Sequence, residues 1–138
     1  MDLLTRLEHA LEDIFEGMFS RTFRTQLQPI EIAKRLSREV EAHRAVSVSA
    51  TYVPNDFRVH LAPETCQALQ DISVRLVGEL EQYLREYIGE RGYQTVGPVA
   101  VHLREDAAVK VGELSVTAGS SPSAVPAAPP APSVLRSY

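Results

Sequence analysis

An α+β fold is the class that this 138-residue sequence predicts, and three observations predict it. Apolar residues recur at helical spacing before residue 45 and again between residues 63 and 88. Two segments between these stretches, and two after them, alternate apolar and polar residues as half-buried strands do. Pro29, Pro54, Pro63 and the Gly97-Pro98 pair punctuate the junctions. The economical packing is a small, mostly antiparallel sheet of three or four strands with three helices on its apolar face, in the order ααββαββ.

The first helix is predicted over residues 3–19, where Leu4, Leu7, Leu11, Ile14 and Met18 form one stripe that Phe15 and Phe19 widen. A second helix opens at Pro29, whose missing N–H costs nothing at a helix start. Glu31 sits in its first turn and Lys34, Arg35, Arg38 and Arg44 follow, an order that complements the helix dipole. Its inward side is Ile32, Ala33, Leu36 and Val40.

Residues 46–52 then alternate strictly, and Phe57, Val59 and Leu61 alternate against Arg58 and His60. Between them Pro54, Asn55 and Asp56 form a turn sequence, so the expectation is a β-hairpin in which these three residues are structural. Ala62-Pro63-Glu64 opens the longest helix, with Leu69, Ile72, Leu76, Leu80, Tyr83, Leu84, Tyr87 and Ile88 on one side and Gly89 and Gly92 as its stop. Val99, Val101 and Leu103 mark a third strand, and residues 110–117 a short fourth one around Gly112.

The folding unit is expected to be residues 1–118. Residues 119–138 hold five of the nine prolines and one charged side chain, Arg136, and read as a Pro/Ala/Ser-rich disordered linker or tail. That tail carries two PxxP spacings, Pro126 to Pro129 and Pro129 to Pro132. A single cysteine, Cys66, excludes an internal disulfide and a Cys-based zinc site. The N-terminus is studded with acids and does not read as a signal peptide. No apolar run approaches the ~18 residues of a membrane span. A formal charge of −4 argues against non-specific nucleic-acid binding, which needs surplus Lys and Arg.

The sequence contains no Gly-rich phosphate loop, no His-Glu-x-x-His and no GxSxG motif, so no enzymatic activity and no cofactor is assigned. His60 and His102 fall on outward positions of two strands that could be neighbours; two imidazoles alone make an incomplete metal site. Cys66 lies in the first turn of the long helix with no second Cys or His near it in sequence. Gly89-Glu90-Arg91-Gly92 matches the GxxG of RNA-clamping KH domains, although there the motif joins two helices and here a strand follows. The remaining candidate is a basic patch of Arg21, Arg24, Lys34, Arg35 and Arg38, suited to docking an acidic or phosphorylated protein partner.

Phe19-Ser20-Arg21-Thr22-Phe23, Gln28-Pro29-Ile30-Glu31-Ile32-Ala33 and Val53-Pro54-Asn55-Asp56-Phe57-Arg58-Val59-His60-Leu61 resemble the N-terminal domain of bacterial FhaA-type proteins. Gly92-Tyr93 and residues 97–101 agree, and the resemblance runs from about Leu7 to Val116. In that family the domain precedes a low-complexity linker and a forkhead-associated (FHA) domain that reads phosphothreonine, in Ser/Thr-kinase signalling linked to cell-wall synthesis and division. This sequence has no Gly-Arg pair and no Ser-x-x-His, so phosphothreonine-binding residues are not carried over. The resemblance implies a non-catalytic interaction or scaffold domain, working in the cytoplasm with other proteins of a signalling or cell-envelope complex that recruit it to the inner face of the membrane. A KH-like nucleic-acid-binding domain is the alternative.

Overall fold

The computed structural model describes residues 2–15 and 27–126. The element order is α1 (Leu3–Phe15), α2 (Pro29–Ala42), β1 (Ala45–Val46), β2 (Thr51–Tyr52), β3 (Asp56–Leu61), α3 (Pro63–Leu69), a 3-10 turn (Gln70–Ile72), α4 (Ser73–Glu90), β4 (Ala100–Glu105) and β5 (Leu114–Gly119). This is an α+β architecture in two layers: a three-stranded sheet in the order β4-β3-β5, with the helices on one side and the two-residue β1-β2 ribbon beside it.

Of the stripes read from the sequence, most of the described residues bury; Leu4 and Tyr87 are half-buried, and Met18 and Phe19, in the last turn expected for the first helix, lie outside the described residues. Leu7, Leu11, Ile14 and Phe15 of α1 and Ile32, Ala33, Leu36 and Val40 of α2 meet Leu76, Leu80, Leu84 and Ile88 of α4. From the sheet, Phe57, Val59, Leu61, Val101 and Val116 close the same core. Each of these Leu, Ile, Val and Phe side chains contributes about 1.5–3 kcal/mol of burial. On the surface Arg6 bridges α1 to α4 through Glu86 at 3.1 Å.

The hairpin expected across Pro54-Asn55-Asp56 does not form. β3 pairs in parallel with β4, Phe57 opposite Val101, and antiparallel with β5, Phe57 opposite Ala118. The reversal occurs earlier: Ser47 N donates to the Ala50 carbonyl at 2.8 Å and Ser47 Oγ does the same, splitting residues 46–52 into β1 and β2. Residues 53–55 instead run from one sheet to the other. Val53 N donates to Gln94 O at 2.9 Å, and Asn55 N to Gly119 O at 3.0 Å.

Asn55 is fully buried and acts as a clasp. Its Nδ2 donates to the carbonyls of Pro98 and Ser121, both at 2.8 Å, and its Oδ1 accepts from Ser121 N at 2.9 Å. Its own carbonyl accepts from Ala100 N at 2.8 Å. One side chain therefore fixes the segments that lead into β4 and out of β5, and every polar group of the residue is used. Gly97 lies under this clasp: a Cβ there would come within 2.9 Å of Pro122 Cα.

The long helix is broken. Residues 70–72 tighten into the 3-10 turn, Ile72, at φ −116° and ψ 7°, leaves helical geometry, and Ser73 Oγ donates to Gln70 O at 3.3 Å. Asp71 and Ser73 are weak helix formers that compete for the backbone, while Leu69 and Ile72 stay in the core. The last strand begins at Leu114, after a turn in which Gly112 takes φ 90°, and ends at Gly119, two residues past the expected strand end and one past the expected end of the folding unit. Of the tail, residues 127–138 lie outside the described residues, as do the PxxP prolines Pro129 and Pro132.

Candidate functional site

Because Ile32, Ala33, Leu36 and Val40 are each no more than 1% exposed, α2 has one orientation available, and it turns Lys34, Arg35 and Arg38 outward. Arg35 Nε lies 3.9 Å from Glu39, which also holds His43 at 3.1 Å. Lys34 and Arg38 are exposed and make no ion pair among the described residues. Arg21 and Arg24, the other two members of the expected basic patch, lie outside the described residues together with Phe19 and Phe23.

The C-terminal end of α2 carries a different cluster. Glu41 accepts from Tyr87 Oη at 2.6 Å and Tyr93 Oη at 2.8 Å, and lies 3.3 Å from Arg91 and 3.6 Å from Arg44. The Tyr87 hydroxyl, foremost among these partners, holds the Glu41 carboxyl below its usual range. Burial, then the Glu41 hydrogen bond, pushes the Tyr87 phenol up to about 12. The Arg91 guanidinium stacks 3.7 Å from the centre of the Tyr87 ring.

This cluster accounts for the GxxG sequence. Gly92, at φ 71°, ends α4, with Tyr93 N donating to Ile88 O at 3.1 Å, which is a helix stop. Arg91 is engaged by Glu41 and Tyr87. The junction between two helices, where a KH domain carries its clamp, is here Leu69-Gln70-Asp71-Ile72, with no glycine and an acidic residue.

His60 and His102 are indeed on neighbouring strands, but diagonal: the register sets His60 beside Arg104 and Arg58 beside His102. They face different carboxylates, His60 Nδ1 at 3.6 Å from Asp106 and His102 Nε2 at 3.2 Å from Asp56. The second contact lies off the direction of a hydrogen bond, leaving the buried Asp56 Oδ1 without one. Among the described residues no group of three or more His, Cys, Asp or Glu side chains could hold a metal ion. Burial and Glu105 push the Cys66 thiol above its usual range, which keeps it protonated at neutral pH.

Glu81 was not singled out by sequence reasoning, and it is fully buried. Its Oε2 accepts from Val101 N at 2.9 Å, so α4 supplies a partner to the edge strand β4. The available signal was position, since Glu81 falls in line with Val77, Leu84 and Ile88 on the buried side of α4. Among the described residues, no helix is long and apolar enough to cross a membrane.

Together these features define a small α+β domain that turns basic side chains outward on α2 and on the side of the sheet facing away from the core. The chain belongs to the family described as FhaA, N-terminal domain, which matches residues 4–117. A solved structure titled "Rv0020c_Nter structure" has the same fold, with a TM-score of 0.68 at 19% sequence identity, over 80% of this chain and 81% of that one. No curated protein matches.

Proposed function

We propose that this domain is a non-catalytic protein-interaction module that scaffolds an FHA-type protein in bacterial Ser/Thr-kinase signalling linked to cell-wall synthesis or division. The observation that carries the reading is the fixed orientation of α2. Four residues locked in the core hold Lys34, Arg35 and Arg38 in solvent, with Lys34 and Arg38 unspent on ion pairs among the described residues. Such a face attracts an acidic or phosphorylated partner and speeds its association. Membership of the FhaA N-terminal family supports the setting. The domain works in the cytoplasm and reaches the inner face of the membrane through its partners.

The test is affinity capture from cell extract by the wild-type chain and by the Arg35→Glu, Arg38→Glu double variant, with captured proteins identified by mass spectrometry. The double variant keeps its melting curve, each exposed substitution costing about 0.5 kcal/mol or less, and loses the partners that the wild type retains. Equal capture by both proteins overturns the reading.

A further inference from the structure

The side of the β4-β3-β5 sheet that faces away from the core carries an ordered set of charges. Phe57, Val59, Leu61, Val101 and Val116 point to the helices, so the alternate residues Arg58, His60, His102, Arg104, Ser115 and Thr117 lie on the other side. Parallel pairing sets Arg58 beside His102 and His60 beside Arg104, which makes a two-by-two block. Antiparallel pairing adds Thr117 beside Arg58 and Ser115 beside His60, and the His60 ring is bonded to Thr117 Oγ1 at 3.2 Å.

Two carboxylates flank the block. Asp56 has a side chain only 13% exposed and lies 3.6 Å from Arg58 and 3.2 Å from His102. Asp106 lies 3.6 Å from His60. Glu105 occupies the alternate position of β4, opposite Leu61. Arg58 is 45% exposed, and the exposed Arg104 makes no ion pair among the described residues. Asp56 is thus low, Asp106 stands at the margin beyond His60 with its side chain 37% exposed, and the two guanidiniums stand outward.

We propose that this sheet face docks an extended, acidic segment of a partner protein, gripped by Arg58 and Arg104 and held more tightly when His60 and His102 are protonated. Guanidinium forks match carboxylates in paired hydrogen bonds. Alternate residues along a strand are ~7 Å apart, the same repeat as alternate side chains of an extended peptide, so acids at every second position fall in step with the block. Among the described residues the face presents no Tyr, Phe or Trp on which bases could stack, which disfavours single-stranded nucleic acid. This surface is distinct from α2, which packs on β5 from the helix side, so either can fail without the other.

The test is a titration of the ¹⁵N-labelled full chain with an alternating (Glu-Ser)₆ peptide, followed by amide shifts at pH 7.5 and pH 5.5. Shifts are expected to centre on residues 58–60 and 102–104. Binding is expected to weaken about tenfold in the Arg58→Glu, Arg104→Glu variant, which replaces two attractive charges by repulsive ones at an exposed face. It should strengthen several-fold at pH 5.5, because protonated imidazoles add positive charge to the face, and the gain should vanish in His60→Gln, His102→Gln. If the charge-reversed variant loses its amide dispersion, Arg58→Ala with Arg104→Ala replaces it. Shifts centred on residues 34–38, absence of saturable binding, no gain at pH 5.5, or tighter binding of a ten-residue oligouridine to the same face each overturn the proposal.

Discussion

Asn55 and Ser121, 66 residues apart, are joined by a reciprocal pair of hydrogen bonds, Nδ2 to the Ser121 carbonyl at 2.8 Å and Ser121 N to Oδ1 at 2.9 Å. An asparagine side chain here does what a strand neighbour would do, presenting one donor and one acceptor to a backbone in register. The same amide also reaches Pro98. Three segments distant in sequence share a single buried group.

Asn55→Ala leaves the Ser121 N–H and two carbonyls without this partner, and is expected to cost roughly 3 kcal/mol in a urea melt. Asn55→Asp is more informative. It keeps the acceptor for Ser121 N but aims a second oxygen at the Pro98 and Ser121 carbonyls, which raises the folded-state pKa of the new carboxyl. A group with a raised folded pKa favours folding while protonated and loses that contribution as pH rises through it. The Asp variant should therefore fall further below wild type at pH 7.5 than at pH 4.5, and a deficit independent of pH would refute the clasp.

Glu81 supplies the partner that Val101 N would otherwise lack. Glu81→Leu fills the space with carbon but strands that amide, at a cost of about 1–3 kcal/mol. Glu81→Gln retains an acceptor and should cost less. Hydrogen exchange gives a local readout: the Val101 amide exchanges faster in the Leu variant at matched global stability.

Gly97→Ala should destabilise by about 1–3 kcal/mol, because the added carbon meets the Ser121-Pro122 backbone and no flexible side chain can yield there. Its amide spectrum should change first at Ser121 and at Asn55. A melting curve superimposable on wild type would show that the approach is looser than described.

The tyrosine cluster has a pH signature with two arms. Glu41 is held below its ordinary pKa of 4.5, so its contribution to stability is present above that value and lost as pH falls. Tyr87 is raised from 10.0 to about 12, so its contribution is present below pH 10 and lost between 10 and 12. The stability difference between wild type and Tyr87→Phe should be level from pH 6 to 9, at about 1 kcal/mol, and shrink at both extremes. Chemical denaturation across that range measures it.

The helices were legible in the sequence because each carries its own stripe, a local signal that packing only has to accept. The alternation of residues 57–61 was legible as a strand for the same reason. What that strand pairs with was not. Pro54-Asn55-Asp56 has the composition of a turn, but the use of Asn55 is decided by Pro98 and Ser121, which no local window contains. The break at residues 69–73 has neither Gly nor Pro to announce it. Alternation put His60 and His102 on outward positions of two strands that could be neighbours, whereas their carboxylate partners depend on a parallel register that alternation alone does not specify.

The central position of β3 also sets an order of events. Both strands that flank it are made after it, one beyond two further helices and the other last of all. As the chain leaves the ribosome, the helices can gather around one another while β3 waits with both edges bare. Pairing of non-local strands is the slow part of folding, and bare edges invite other chains. Synthesis must pass residue 121 before Asn55 finds its final partner, so the newborn domain is most exposed to misassembly in the interval between α4 and Ser121.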